Sequence, residues 1–244
     1  MSAATPDISV VVFASREGHL LHGSILSVER AIKEARKTGL TIDALVAAYA
    51  PDRSTSAWLA ERSPYRSVKI AKPCLGNARN FALEKTKGRA VAFLDGGDLW
   101  SRNFLVEAEN HNQSSKRNVV WRPATSIGFA DDYFDSSRYS VRPIPDSADL
   151  PPSSILVANP YPSTFFARRE ILKAIPFPVE DQARGWNEVD WWWNANLLGH
   201  DVELRTVPET LHYFRTSMAE ERQRARGPGR LGPTALELGR RRRG

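Results

Sequence analysis

The chain has 244 residues, 41% of them hydrophobic, with a formal net charge of +6 and a single cysteine. That composition supplies a core for one large domain or two small ones and excludes a wholly disordered chain. A lone Cys74 excludes an intramolecular disulfide and argues against a cysteine-built zinc site, and no apolar stretch nears the roughly 18 residues that span a bilayer, so a cytoplasmic protein with at most peripheral membrane contact is expected.

Ile8 to Ala14 is a short apolar run that reads as a buried strand. A helix follows from about Leu20 to Lys37, with Ile25, Val28, Ile32 and Ala35 along one face, and Gly39 stops it. Ile42 to Tyr49 is a second strand, leading into a Pro51-Asp52-Arg53 loop and a short helix near Thr55 to Arg62. Ser67 to Ala71 is a third strand. Gly76 to Lys87 is a helix ended by Gly88, and Ala90 to Leu94 is a fourth strand that runs into Asp95. Ser101 reads as the N-cap of a helix reaching about Asn112, after which the pattern becomes mixed. Arg142 to Pro152 reads as a long loop, Ser163 to Ala167 as a strand, and Asn187 to Leu198 as a helix. Val202 to Val207 and Leu211 to Phe214 read as two closing strands. Residues 216–244 hold eight arginines against three glutamates, so the basic excess belongs to a tail and the body is close to neutral. That tail is expected to be flexible, serving as a solubilising extension or a contact for anionic lipid, and nucleic acid is not an expected partner. Alternating short apolar runs and amphipathic segments in the first half make the class α/β with a largely parallel sheet. No internal repeat divides the chain.

The chemistry-bearing feature is Asp95-Gly96-Gly97-Asp98, at the carboxyl end of the fourth strand. Ligands of open parallel sheets collect outside such strand ends, where the loops diverge. Two carboxylates separated by glycines can hold a hard divalent cation or accept bonds from ribose hydroxyls. The same residues also read as a plain strand-to-helix turn, with Asp98 or Ser101 capping the next helix.

Gly76-Asn77-Ala78-Arg79-Asn80, followed by Ala90 to Leu94 and the acidic turn, resembles the central signature of family 2 glycosyltransferases with the GT-A fold. The resemblance spans most of residues 8–215. It implies one GT-A-like domain over 1–215, with a Rossmann-like nucleotide-sugar-binding half at 8–112 and an acceptor and catalytic half at 113–215. Its central sheet is expected to be mostly parallel and flanked by helices. From the residues alone, Asn77 reads as a cap for its helix, and Arg79 is either placed to face a phosphate or base carbonyl, or simply a surface arginine. The resemblance adds Asn80 and Asp95 as donor contacts, Ser15 and Glu17 in the loop after the first strand, and Asp52 as a substitute for the aspartates that the family carries where Ala48 and Tyr49 stand.

Glu188-Val189-Asp190-Trp191 resembles the family's acidic helix, which implies Asp190 as general base of an inverting transfer, with Glu188 in reserve because Val189 splits the pair. Asn187 is equally an N-cap, with Asp190 in the first turn where negative charge suits the helix dipole. Trp191, Trp192 and Trp193 lie about 100° apart, so they cannot share one face: at least one is expected to border a cleft or partner, where its ring would suit a sugar, and the others to pack in the core. His212 and Arg215 resemble the closing strand's third metal ligand and phosphate partner, beside Asp98 and Asp95 as the metal's carboxylates. The implied reaction is hexosyltransferase-like, needing Mn or Mg and a nucleotide-sugar donor, first of all a UDP-sugar. Its acceptor would be a glycan, a lipid-linked molecule or a protein. Gly97 stands where the family commonly carries a further aspartate, which points to weakened metal binding. The alternative is a non-catalytic carbohydrate- or nucleotide-binding protein of the same fold. No Gly-x-Ser-x-Gly elbow and no Gly-Lys-Ser/Thr phosphate loop offers a rival chemistry.

Overall fold

The structure is a computed structural model and describes residues 4–70, 74–129, 139–151, 153–179 and 188–216. Strands β1 (Ile8–Ala14), β2 (Ile42–Tyr49), β3 (Arg66–Ile70) and β4 (Ala90–Asp95) form the parallel half of a sheet in the order β3-β2-β1-β4. All residues of β1 and β4 are buried, which is why they read as unbroken apolar runs: a parallel strand with helices on both faces has no wet side. Alternate side chains enter two cores. Val11, Phe13 and Phe93 face one side, with α3 (Leu75–Glu84), α6 (Arg169–Ala174) and α7 (Val189–Gly199). Val10, Val12 and Leu94 face the other, with α1 (Leu21–Lys37) and α4 (Phe104–Ser114).

The second half of the sheet continues β8-β6-β9-β5. β8 (Phe165–Arg168) is antiparallel to both β4 and β6 (Val119–Phe129), β9 (Glu203–Arg215) is parallel to β6, and β5 (Leu99–Trp100) is antiparallel to β9. β7 (Ser140–Pro143) pairs with the far end of β6, beyond the reach of β8. The eleven-residue β6 falls where the sequence pattern is mixed. Its Pro123 lacks a ladder donor and sits beside the register shift against β9, where Thr210 supplies a hydroxyl to the Ala124 N–H at 3.2 Å. The two expected closing strands are one strand interrupted by that bulge, with Glu209 at φ +57°.

Several local expectations shift. α2 (Arg53–Arg62) starts earlier than expected because Asp52 caps it, accepting the Thr55 N–H at 2.7 Å. Cys74 occupies the cap position of α3, so Asn77 lies inside the first turn instead of capping it. Ser101 does not cap α4 with its hydroxyl; that oxygen accepts the Leu211 N–H at 3.0 Å and ties β5 to β9. The expected loop at 142–152 contains the end of β7 and a short 3-10 turn, Ser147–Asp149. α5 (Ser154–Val157) follows it. Ala71, Asn187 and residues 217–244 of the basic tail lie outside the described residues. No helix among the described residues is long and apolar enough to cross a membrane.

Candidate active site

The acidic turn sits at the carboxyl edge of the parallel sheet because β4 lies beside β1, with Phe13 opposite Asp95. The Gly96 N–H donates to the Phe13 carbonyl at 2.7 Å, and a Cβ there would stand 2.7 Å from that oxygen and 2.9 Å from the Glu17 carboxyl carbon. Gly97 has φ +84°, a left-handed conformation that favours glycine, and its N–H donates to Ser24 Oγ at 2.8 Å. The Asp98 N–H closes the turn on the Asp95 carbonyl at 3.2 Å. This geometry sends the two carboxylates different ways.

Asp95 faces Arg79. The guanidinium is wholly buried, and one arm contacts Asp190 Oδ1 while the other reaches Asp95 Oδ1 at 3.4 Å. Phe13 and Phe177 lie 5.7 and 5.2 Å from its centre. Burial opposes its charge, but Asp190 and then Asp95 outweigh that effect and hold its pKa above the ordinary arginine value. Arg79 therefore joins two carboxylates brought from α7 and β4, instead of presenting its charge to a phosphate or solvent. Asp190 stands in the first turn of α7, 9% exposed. Glu188 holds the residue before the helix, and its carbonyl accepts the Trp192 N–H at 3.0 Å.

Asp98 turns toward the second half of the sheet, where its Oδ2 lies 3.2 Å from His212 Nε2. The other ring nitrogen of His212 is 2.7 Å from Ser126 Oγ, so a Ser126–His212–Asp98 chain runs from β6 through β9 to the turn. Register makes this possible, since His212 is opposite both Trp100 and Ser126. Ser126 carries no sequence signal of its own. The expected three-ligand metal set is not assembled: Asp95 is with Arg79, and no group of three His, Cys, Asp or Glu among the described residues could hold a metal ion. Asp98 and His212 remain as a pair.

The other expected donor contacts divide. Ser15 and Glu17 lie together at the turn, the Ser15 N–H donating to Glu17 Oε2 at 2.5 Å. Asn80 clamps the Phe177 backbone: its amide donates to the Phe177 carbonyl and accepts the Phe177 N–H, both at 2.9 Å. Asp52 is engaged as the cap of α2. Arg215 closes β9 with its guanidinium 4.7 Å from the Phe129 ring. Of the three tryptophans, Trp193 is fully buried and stacks on Phe177 at 4.2 Å, while Trp191 is partly buried and donates to the Ile155 carbonyl.

No protein-family model and no curated protein matches the sequence. Solved structures match in fold. TarS of S. aureus, residues 1–349, superposes with a TM-score of 0.58 at 14% identity, covering 95% of this chain and 65% of that one. The mannosyltransferase PcManGT of Pyrobaculum calidifontis, in complex with GDP-Man and Mn2+, gives 0.56 at 17% identity over 86% of this chain and 57% of its own. Glucosyl-3-phosphoglycerate synthase of Mycobacterium tuberculosis, with Mn2+, UDP and phosphoglyceric acid, gives 0.55 at 17% identity over 89% and 75%. The chain thus spans less than two thirds of the length of the first two. Its fold is that of the GT-A glycosyltransferases.

Proposed function

We propose that the chain is a glycosyltransferase that moves a sugar, with inversion, from a nucleoside diphosphate donor to a hydroxyl of a glycan, lipid-linked or protein acceptor. A UDP-sugar is the first donor to test. The observation that carries this reading is the meeting of Asp190 and Asp95 on the two arms of one buried guanidinium, at the edge of the sheet where ligands bind. Arg79 contacts Oδ1 of Asp190, so Oδ2 is the oxygen that takes a proton. The acceptor hydroxyl gives that proton to Asp190 as its oxygen bonds to the anomeric carbon. The bond from that carbon to the diphosphate breaks, and its electron pair leaves with the nucleoside diphosphate. A single displacement of this kind inverts the anomeric centre.

The remaining pair fits a divalent cation with few protein ligands. Asp98 Oδ2 and His212 Nε2 are 3.2 Å apart, near the roughly 3 Å between adjacent ligands of an octahedral ion with bonds of about 2.1 Å. Mg2+ and Mn2+ commonly complete such a shell with water and substrate phosphate oxygens. An ion held by Asp98 and His212 would offset the charge that develops on the leaving diphosphate. Ser126 then matters, since a ring that ligates through Nε2 carries its proton on Nδ1 and donates it to Ser126 Oγ.

Purified protein incubated with a panel of UDP- and GDP-sugars plus Mn2+ tests the reading. Turnover that Asp190→Asn lowers by about 100-fold or more supports it, whereas wild-type turnover in that variant removes Asp190 from the chemistry. A second reading, a binding protein of the same fold, draws on Gly97 and on a cation site of two protein ligands, Asp98 and His212. Donor binding without turnover of any donor would establish it.

A further inference from the structure

Arg79 and Arg122 are the buried arginines among the described residues, and the reaction above gives Arg122 nothing to do. Arg122 lies within β6 and is 1% exposed. Nη1 donates to the carbonyls of Pro162 and Thr164, the latter at 3.0 Å, and Nη2 donates to Asn194 Oδ1 at 2.6 Å. The Tyr161 and Phe165 rings lie 5.5 and 5.7 Å from its centre. Nε makes no hydrogen bond, and among the described residues no carboxylate pairs with the guanidinium. Burial pulls its pKa down to about 10, and the attraction that most opposes this fall comes from Asp190. Those three acceptors need donors, but a neutral donor would serve them without the cost of burying a charge. A charge kept here at that cost calls for a use.

Asn194 supplies one. It lies four residues after Asp190 in α7, one turn along the same face. It is wholly buried, and its Nδ2 donates to Asn159 Oδ1 at 2.9 Å. On the other side of Arg122, the Thr164 hydroxyl donates to the Phe93 carbonyl at 2.8 Å, two residues before Asp95. A continuous brace therefore runs from β4 through residues 162–164 and Arg122 to the second turn of α7. Asp190 is held at its carboxylate by Arg79 and one turn along its helix by Arg122.

We propose that Arg122 is a positioning residue for Asp190, fixing the first two turns of α7 against β6 through Asn194. The catalytic part of this proposal rests on the reading of Asp190 as the base.

The test uses the full chain and the variants Arg122→Gln, Arg122→Lys, Asn194→Ala and Asp190→Asn. In substrate-free protein, amide hydrogen exchange over residues 188–194 is expected to rise about tenfold in Arg122→Gln and Asn194→Ala, with peptides of β1 and β4 unchanged. Asn194→Ala leaves the guanidinium on its two carbonyls, so it carries the test if Arg122→Gln does not fold. Unchanged exchange at 188–194 overturns the proposal. Turnover is read as hydrolysis of UDP-glucose with Mn2+. Arg122→Gln should lower kcat about 10- to 100-fold with donor KM within about twofold, and should add no further loss to Asp190→Asn. Arg122→Lys should fall between, because an ammonium cannot match the fork of three acceptors. A loss that multiplies onto Asp190→Asn marks a general structural role and also overturns the proposal. Wild-type turnover in Asp190→Asn refutes the base assignment, and the exchange result then decides alone whether Arg122 braces α7.

Discussion

Arg79→Met removes a guanidinium that is wholly buried and joined to two carboxylates. Methionine fills much of the volume between Phe13 and Phe177 but leaves Asp190 and Asp95 facing each other with no cation between them. Removing one partner of a buried ion pair costs about 3–5 kcal/mol, because the surviving charge has lost both water and its partner. In a domain of this size that corresponds to a fall in Tm of roughly 6–20 °C. Denaturant unfolding at pH 7 measures the loss directly. Adding Asp190→Asn removes one of the stranded charges, so the double variant is expected to recover about 1–3 kcal/mol of it. Arg79→Lys retains the charge but not the two parallel arms, and should fall between wild type and Arg79→Met. A loss below about 1 kcal/mol for Arg79→Met, or strictly additive losses in the double variant, would refute the argument that Arg79 is the electrostatic link of the site.

The Asp98 and His212 pair predicts that Mn2+ and UDP together raise the Tm of the wild type, by about 2.7 kcal/mol of stabilisation at 100 times Kd. Asp98→Asn and His212→Gln should each abolish that Mn2+-dependent shift in a thermal scan, and a full shift in both variants would remove the pair from cation binding. Gly76→Ala places a Cβ 1.8 Å from the Pro178 carbonyl oxygen, a backbone clash that α3 can relieve only by moving. A loss of about 3 kcal/mol is expected by denaturant unfolding, and an unperturbed variant would contradict the packing of α3 on residues 177–179. Burial works to raise the Asp52 carboxyl, but bonds from Thr55 and Ser54 outweigh it and hold the group below the ordinary aspartate value. A depressed folded pKa means that the cap's contribution is present above the unfolded value near 3.9 and is lost as pH falls through the lower folded value. Asp52→Ala should therefore cost about 1 kcal/mol at pH 7 and progressively less below pH 4, while Asp52→Asn, itself a good cap, should stay within a few tenths. A constant difference between Asp52→Ala and wild type from pH 7 to pH 3 would show that the carboxylate is not the capping group.

Much of the first half was legible because its signals are local. β1 and β4 are continuous apolar runs, α1 shows its buried face every three to four residues, and Gly96 and Gly97 mark a turn after β4, although it leads into the short β5 and not directly into a helix. Asp190 in the first turn of a helix was legible for the same reason. β6 was not: Pro123 and the small and polar residues after it break any two-residue period, and only pairing with β8, β9 and β7 makes the segment a strand. Its obscurity also hid Ser126 and Arg122, whose roles depend on what lies beside β6.

The sequence by itself determined the class, the strand-end position of the acidic turn, and the residue types at Arg79, Asp190 and His212. Which of them meet was decided by the tertiary structure. Arg79 and Asp190 are separated by 111 positions, His212 and Asp98 by 114, and Arg122 and Asn194 by 72, so no periodicity within one element relates the partners. Strand order and register bring them together, and burial then selects the pairing, because a charge removed from water is stable only against a partner that replaces it. That is why Arg79, legible as a cation at the start of a helix, is found joining two carboxylates.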